Sequence, residues 1–348
     1  MKDKKSFLLI TNLTSQMKRG MAVSETLNLL LSANGWKIYT ASGKINKLAR
    51  LFDMLLTTWR YRDEYNCAFI EVFSGQAFIW AEIVCSLLHR LNKPYILGLW
   101  GGNLPDFAKR NSRLVDKLLR SATLVVAPSF YLLEKLRPYT SAKITVFPYG
   151  VDLSHFQYRI RSKVEPKIIS MRGFHSIYCP WIATEVIALL KDTIPGIKLV
   201  MTGGDKQDGS LEKTEKIIQE YSLEEVVKVS GFLEKSELER LVMSSDILFN
   251  TPIIDNTPVS VIQAMACGLC IVSTNVGGLP YLIDDEVDGL LVPPNNPESI
   301  VAAVQRILSE PGLATKLSAN AHAKAEQYDW SVILPKWEEL LEGVCSSS

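Results

Sequence analysis

One arginine, one carboxylate and one helix start carry the chemistry that the spacing of this chain allows. Arg172 closes an apolar run, KIISMRG. A strand ending there would present its guanidinium to the crevice where open α/β sheets bind ligands. A guanidinium is always charged, and its fork of donors matches phosphate oxygens, the alternative being an ordinary surface salt bridge. Further along, DILFNTP (Asp246 to Pro252) reads as another buried strand, followed by a polar loop at Asp255–Asn256. Thr257 suits the N-cap of a helix, with Pro258 at its first position, where the missing donor costs nothing. Val259, Val261, Ile262 and Met265 would bury that helix, and Gly268 would stop it. The free N–H groups and dipole of a helix start favour an anion, phosphate above all. Arg172 and the amides of Thr257–Val259 would together suit a bound phosphate.

These residues need elements to hold them, and the chain alternates short apolar strands with amphipathic helices. Such alternation implies parallel sheets covered on both faces. In the first half the strands are FLLITNL, WKIYTAS, CAFIEVF, YILGLWG, TLVVAPS and ITVFPYG, with helical stretches such as 78–91 and 114–120 between them. A polar link follows Gly150-Val151-Asp152 as far as Pro166. The second half starts again with KIISMRG, IKLVMTG, VVKVSGF, DILFNTP, CIVSTNV and GLLVP. The fold class is α/β: two doubly wound, Rossmann-like parallel-sheet domains facing each other across a ligand cleft. The expected division is 1–152 and 153–325, then a C-terminal helix, 326–348, that Trp330 and Trp337 make too apolar to be free.

A chain of 348 residues can bury two ordinary cores, and 47% apolar with 22% charged residues excludes a disordered protein. No apolar run reaches the length of a spanning helix, and the four-residue apolar stretch near the start is too short for a secretory signal. Cys267 and Cys270, in CGLC, fall across a helix end and a strand start without a second pair. That placement fits reduced structural thiols in a cytoplasmic protein better than zinc or redox work. The net charge of +1 hides an asymmetry. Residues 1–150 hold 21 Lys and Arg against 10 Asp and Glu, a balance of +11, and the remainder holds 17 against 27, a balance of −10. The basic half would face an anionic surface or acceptor, or simply attract its acidic partner half. Within it, Lys44 to Arg62 places Leu48, Leu51, Phe52, Leu55 and Trp59 on one helical face among basic residues. Such a helix either docks on anionic lipid or covers its own sheet.

The stretch from Asp255 to Pro294, DNTPVSVIQAMACGLCIVSTNVGGLPYLIDDEVDGLLVPP, resembles the retaining nucleotide-sugar glycosyltransferases of the glycogen-synthase-like group, glycosyltransferase family four. GGNLP, VAPS, PYGVD and MRG extend the resemblance over nearly the whole chain. It implies the GT-B fold, with the last helix crossing back onto the first lobe. It also implies that Asp255 takes the place of an acid touching the sugar hydroxyls, and Gln263 that of an acid binding the ribose hydroxyls. Arg172 takes the place of an arginine on the diphosphate. The family's lysine five residues later is Ile177 here, so His175 or Lys206 would have to stand in for it. Gly20 and Met21, in SQMKRGMA, lie where the family has a glycine-rich turn against the diphosphate, or simply at the turn that any helix start needs. Trp100 stands where the family has a histidine on the donor sugar. A tryptophan there would stack on a sugar or fill the core, and Gly101 beside it would let backbone approach the ligand. Gly231, Phe232 and Leu233 hold the place of backbone contacts to the base, or simply end a strand.

The resemblance thus implies a metal-independent, retaining hexosyl- or related glycosyltransferase. It would move a sugar from a nucleotide diphosphate-sugar to a glycan or lipid-linked acceptor in cell-envelope or exopolysaccharide synthesis. The donor is a co-substrate, no cofactor is expected, and nucleic acid is not an expected partner. The expected place is the cytoplasm, with peripheral attachment to the inner face of the cell membrane through the basic domain. The altered endpoints Asp255, Gln263, Ile177 and Trp100 leave a second reading open, a catalytically impaired nucleotide-sugar or partner-binding protein. A nucleotide-sugar epimerase of the same fold would need further acid and base residues in the cleft, and none stand out.

Overall fold

The computed structural model describes residues 5–11, 23–100 and 103–346. They form two units, one from Met1–Gly150 with Trp330–Ser348 and one from Val151–Asp329. The division falls two residues before the expected boundary, at the end of PYG, and the terminal helix starts at Trp330.

The first unit has six parallel strands: β1 (Ser6–Ile10), β2 (Lys37–Ala41), β3 (Cys67–Val72), β4 (Tyr95–Leu99), β5 (Leu124–Ala127) and β6 (Ile144–Val146). Their order is β2-β1-β3-β4-β5-β6. The helices α1 (Val23–Ala33), α2 (Lys47–Arg60), α3 (Gln76–Arg90), α4 (Leu104–Arg110), α5 (Ser112–Arg120) and α6 (Phe130–Leu136) connect them. Alternate side chains of a strand point to opposite faces. Leu8, Ile10, Ile70 and Val72 therefore join a core beneath α2 to α6, while Phe7, Leu9 and Phe69 pack on the other face. The inner strands β1, β3 and β4 read as continuous apolar runs because both faces are buried.

The second unit repeats the plan with β7 (Lys167–Met171), β8 (Lys198–Thr202), β9 (Val227–Gly231), β10 (Ile247–Asn250), β11 (Cys270–Thr274) and β12 (Leu290–Val292). Its order is β12-β11-β10-β7-β8-β9, so successive strands add on one side of β7 and then on the other. The reversal lies between β7 and β10, where doubly wound sheets open a crevice at their carboxyl ends. The helices are α7 (Pro180–Leu190), α8 (Ser210–Glu220), α9 (Lys235–Ser244), α10 (Val259–Ala266), α11 (Leu279–Leu282), α12 (Pro297–Ser309) and α13 (Leu313–Ala325).

The polar link before β7 is held down rather than free. Arg161 is fully buried, and its guanidinium donates to Asp246 at 3.2 Å, to the Ser245 carbonyl at 2.7 Å and to the Cys267 carbonyl. A cation at the carbonyl end of α10 is favoured by the helix dipole, and Asp246 balances its charge. The last helix, α14 (Trp330–Cys345), belongs to the first unit. Trp337 stands edge-on to Phe69 at 5.3 Å and to Phe147 at 4.6 Å. A disulfide joins Cys67 of β3 to Cys345 of α14, a pairing that the sequence reading did not foresee. Cys85, Cys179, Cys267 and Cys270 are buried free thiols, and burial pushes Cys267 up to about 11 and Cys270 to about 12. Among the described residues no helix is long and apolar enough to cross a membrane, and no side chains cluster as metal ligands.

Candidate functional site

Arg172 is the first residue beyond β7, and Asp255 lies in the loop beyond β10. The two strands pair directly, Ile247 with Ile168 and Phe249 with Ser170, so their ends meet at the sheet's reversal. There the Arg172 Nη2 donates to the Asp255 carboxylate. The pair is mostly buried, with the side chains 20% and 11% exposed. The ring of Tyr178 lies 4.1 Å from the guanidinium carbon, a cation–π contact that fixes its plane. Arg172 Nε is buried and has no partner among the described residues. Burial pushes the Asp255 carboxyl above its ordinary range, opposed by Arg172 and by the Asn256 N–H, which donates to it at 2.9 Å. The site therefore holds a cation with donor capacity to spare and an anion that needs it.

Glycines bring these loops together. A Cβ on Gly277 would overlap the Asp255 carbonyl oxygen, and one on Gly278 would overlap that of Asn256. The Gly278 N–H instead donates to the Asp255 carbonyl at 2.9 Å, which sets the height of the Asp255 loop. Gly277 also has φ +57°, which L side chains adopt only with strain. On the other side, the loops after β7 and β8 pack backbone to backbone, with the Phe174 N–H donating to the Gly204 carbonyl at 3.0 Å. A Cβ on Gly173 would meet the Lys206 Cε at 3.1 Å, so the lysine stem lies across the residue next to Arg172. Lys206 is exposed and makes no ion pair with any described residue.

The helix start differs by one residue from expectation. Pro258 is the N-cap, with φ −72° and ψ 119°, and α10 begins at Val259. Proline before an α residue is at ease in this extended conformation. Thr257 thus precedes the cap, and Pro258 supplies no amide. The free donors of the first turn are those of Val259 and Ser260, since the first closing bond runs from the Val261 N–H to the Pro258 carbonyl at 3.1 Å. Gln263 follows four residues after Val259, on the same face, and is half-buried. Its carboxamide makes no hydrogen bond with a described residue.

The remaining expected residues have other partners. His175 accepts the Ile177 N–H on Nδ1 at 3.1 Å and caps the turn Ser176–Tyr178. The carbonyl of Ile177, in the lysine's place, accepts the Ile253 N–H at 2.8 Å. The Gly231 carbonyl already accepts from the Thr202 hydroxyl and the Gly203 N–H, both at 2.8 Å, so it is spoken for by its neighbours. Phe232 is exposed beside it and Leu233 half-buried. Gly20, Met21 and Gly101 lie outside the described residues.

Trp100 belongs to the first unit, where its ring packs on Tyr149 at 4.8 Å and Phe69 at 6.2 Å. Nearby on β3, the Glu71 carboxylate accepts the Thr11 hydroxyl, which lies 3.1 Å from the Ser24 hydroxyl. Burial pushes the Glu71 carboxyl up to about 7 against the polar groups of Thr11, Ser24 and Trp100, and the Glu25 charge adds to the rise. The sequence reading passed over Glu71, although a lone carboxylate in the apolar run CAFIEVF marks it. Tyr178 was missed too, and only its closeness to Arg172 in RGFHSIYCPW hints at the stacking.

Residues 165–324 match the family model for glycosyl transferases group 1. A D-inositol 3-phosphate glycosyltransferase of Saccharomonospora viridis is 24% identical over 72% of this chain and 62% of its own length. An uncharacterized glycosyltransferase of Methanocaldococcus jannaschii is 33% identical over 39% of this chain and 34% of its own. The match thus spans under two thirds of these relatives' length. Among solved structures, sucrose-phosphate synthase from Thermosynechococcus elongatus superposes with a TM-score of 0.80 at 19% identity, covering 99% of this chain and all of that one. HepE of Anabaena, solved with UDP-glucose, gives 0.73 at 17% identity over 97% of this chain and 99% of its own. The two parallel six-stranded sheets have the GT-B fold of these structures, and residues 165–324, most of the second unit, are similar to the glycosyl transferases group 1.

Proposed function

We propose that this protein is a retaining glycosyltransferase that takes a sugar from a nucleotide diphosphate-sugar without a metal ion. The observation that carries the reading is the Arg172–Asp255 pair at the reversal of the second sheet, beside the free first turn of α10. A diphosphate placed there would meet the spare donors of Arg172 and the Val259 and Ser260 amides. Lys206 would serve as the second cation that the Ile177 position does not supply. Charge developing on the leaving diphosphate would be stabilised by groups already in place, which is the main source of rate in such sites. Asp255 would accept a hydroxyl of the sugar, and Gln263 would bind the ribose as donor and acceptor. The donor's own phosphate would take the acceptor's proton. The relatives' names and the HepE complex with UDP-glucose support a nucleotide-sugar donor. The basic balance of residues 1–150 supports an anionic, lipid-linked or glycan acceptor of the cell envelope, met at the inner membrane face.

A second reading, a binding protein with a decayed site, draws on two observations. The Trp100 ring packs on Tyr149 and Phe69, and Ile177 replaces the lysine. Thermal unfolding in the presence of UDP-, GDP- and ADP-sugars tests both readings, because a ligand that binds only the folded state raises Tm by mass action. The donor that stabilises is then assayed for sugar release. Stabilisation with turnover supports the transferase, stabilisation without turnover supports the binding protein, and no stabilisation by any donor overturns both.

A further inference from the structure

The helix α2 carries more apolar surface than its sheet can cover. Met54 and Thr58 are buried, and Leu51 and Leu55 half-buried, so this side of the helix faces the core. Leu48, Phe52 and Trp59 nevertheless stand 81%, 67% and 53% exposed, with Leu56 and Ile45 exposed beside them. At 100° per residue, Leu48, Phe52, Leu56 and Trp59 fall within about 80° of arc. The face expected from sequence is therefore split, with its inner edge on the sheet and its outer edge in solvent. An exposed apolar stripe of this size on a folded protein marks a surface that meets something.

Charge decides what it meets. Lys44, Lys47 and Arg60 are exposed around the stripe, and none of them has a carboxylate within ion-pair distance among the described residues. Arg62 lies over the Trp59 ring at 4.5 Å, so the indole is bracketed by cationic and apolar surface. The helix itself contains a single acid, Asp53. A protein groove of ordinary polarity would not call for unpaired cations ringing large apolar side chains, whereas the boundary of an anionic bilayer offers phosphates to the first and acyl chains to the second.

We infer that the exposed face of α2 docks on an anionic lipid surface, Leu48, Phe52 and Trp59 entering the headgroup region and the lysines and arginines meeting lipid phosphates. This deepens the reading of a lipid-linked acceptor, but its test needs no donor, so the two fail separately.

The test is co-sedimentation of the full chain with vesicles of pure phosphatidylcholine or of phosphatidylcholine with phosphatidylglycerol, at low and raised salt. Binding should be at least about tenfold tighter to the anionic vesicles and weaken with salt. The Leu48→Glu/Phe52→Glu variant should lose binding by at least tenfold while keeping its Tm, because both side chains already stand in water. The Leu189→Glu variant, exposed in the second unit, should bind like the wild type. The Lys44→Gln/Lys47→Gln/Arg60→Gln variant should keep residual binding with a flatter salt dependence. Equal binding to both vesicles, or full binding by the double glutamate variant, would overturn the inference. So would a chain that ignores vesicles and is dimeric until those two residues are changed, since the face would then belong to a second copy.

Discussion

Arg172→Ala would remove the cation that compensates a buried carboxylate, and the cost should depend on pH as a loss of packing would not. In the wild type, burial pushes the Asp255 carboxyl up while the Arg172 guanidinium and the Asn256 amide pull it back. Without the guanidinium only the Asn256 N–H remains, at 2.9 Å. The folded state then keeps the proton on Asp255 to a higher pH than the unfolded chain does. Stability should fall with rising pH from the unfolded pKa to the raised folded pKa, by up to about 1.4 kcal/mol per pH unit, and level off above it. Breaking a buried pair from one side costs about 3–5 kcal/mol. The remaining exposure of the two side chains, 20% and 11%, brings the expectation to about 2–4 kcal/mol at pH 8. For a unit of this size that is a drop in Tm of about 5–15 °C. Near pH 4 the difference should shrink to the lost contact with Tyr178, about 1 kcal/mol. Adding Asp255→Asn should restore most of the loss at pH 8, because no stranded charge is left. Thermal unfolding followed by circular dichroism between pH 4 and pH 8 gives all three curves. A deficit that does not change with pH, or a double variant no more stable than Arg172→Ala, would refute the coupling.

Two further changes probe the glycine support and the buried acid of the first unit. Gly277→Ala should cost at least about 2 kcal/mol, from the left-handed backbone and from displacement of the Asp255 carbonyl, and should weaken binding of whichever donor stabilises the wild type. Gly196→Ala, with φ +78° and open space at its Cβ, is the control that shows the backbone share alone in urea titrations. For Glu71, a folded pKa of about 7 against an ordinary 4.5 means the folded state holds more protons between those values. Wild-type stability should thus fall as pH rises from 4.5 to 7, and Glu71→Gln should flatten that slope in melts at pH 5, 6, 7 and 8. Parallel curves for the two proteins would remove Glu71 as the source.

Most of the described strands were legible because they are buried on both faces and so read as apolar runs between turn residues, whereas the edge strands β2, β6 and β9 are only partly buried. Helix boundaries were less so. Thr257 and Pro258 are both good residues for a helix start, and which one caps depends on where the Asp255 loop is pinned by Gly277 and Gly278, some twenty residues on. The α2 segment was readable as amphipathic, but periodicity does not say how much of an apolar arc the sheet below can cover. Trp100 could stack on a ligand or fill a core, and its packing on Tyr149 and Phe69 is a contact between separate elements that no local pattern encodes.

The pair formed by Arg172 and Asp255 was invisible for the same reason, being separated by 83 positions, yet it bears most on how a donor would enter. An arginine this buried is costly without an anion, so the resting site supplies its own. A diphosphate carries more negative charge than one carboxylate and would find Arg172 Nε unpartnered and waiting. As it draws the guanidinium's charge, Asp255 loses part of its compensation. The carboxylate must then gain a proton or a new donor, because its burial already disfavours the charge. On the proposed reading, a hydroxyl of the donor's sugar is the nearest group able to give that hydrogen bond. Capture of the diphosphate and engagement of the sugar by Asp255 would then be a single exchange of partners, and a nucleoside diphosphate lacking the sugar would leave half of that exchange unfinished.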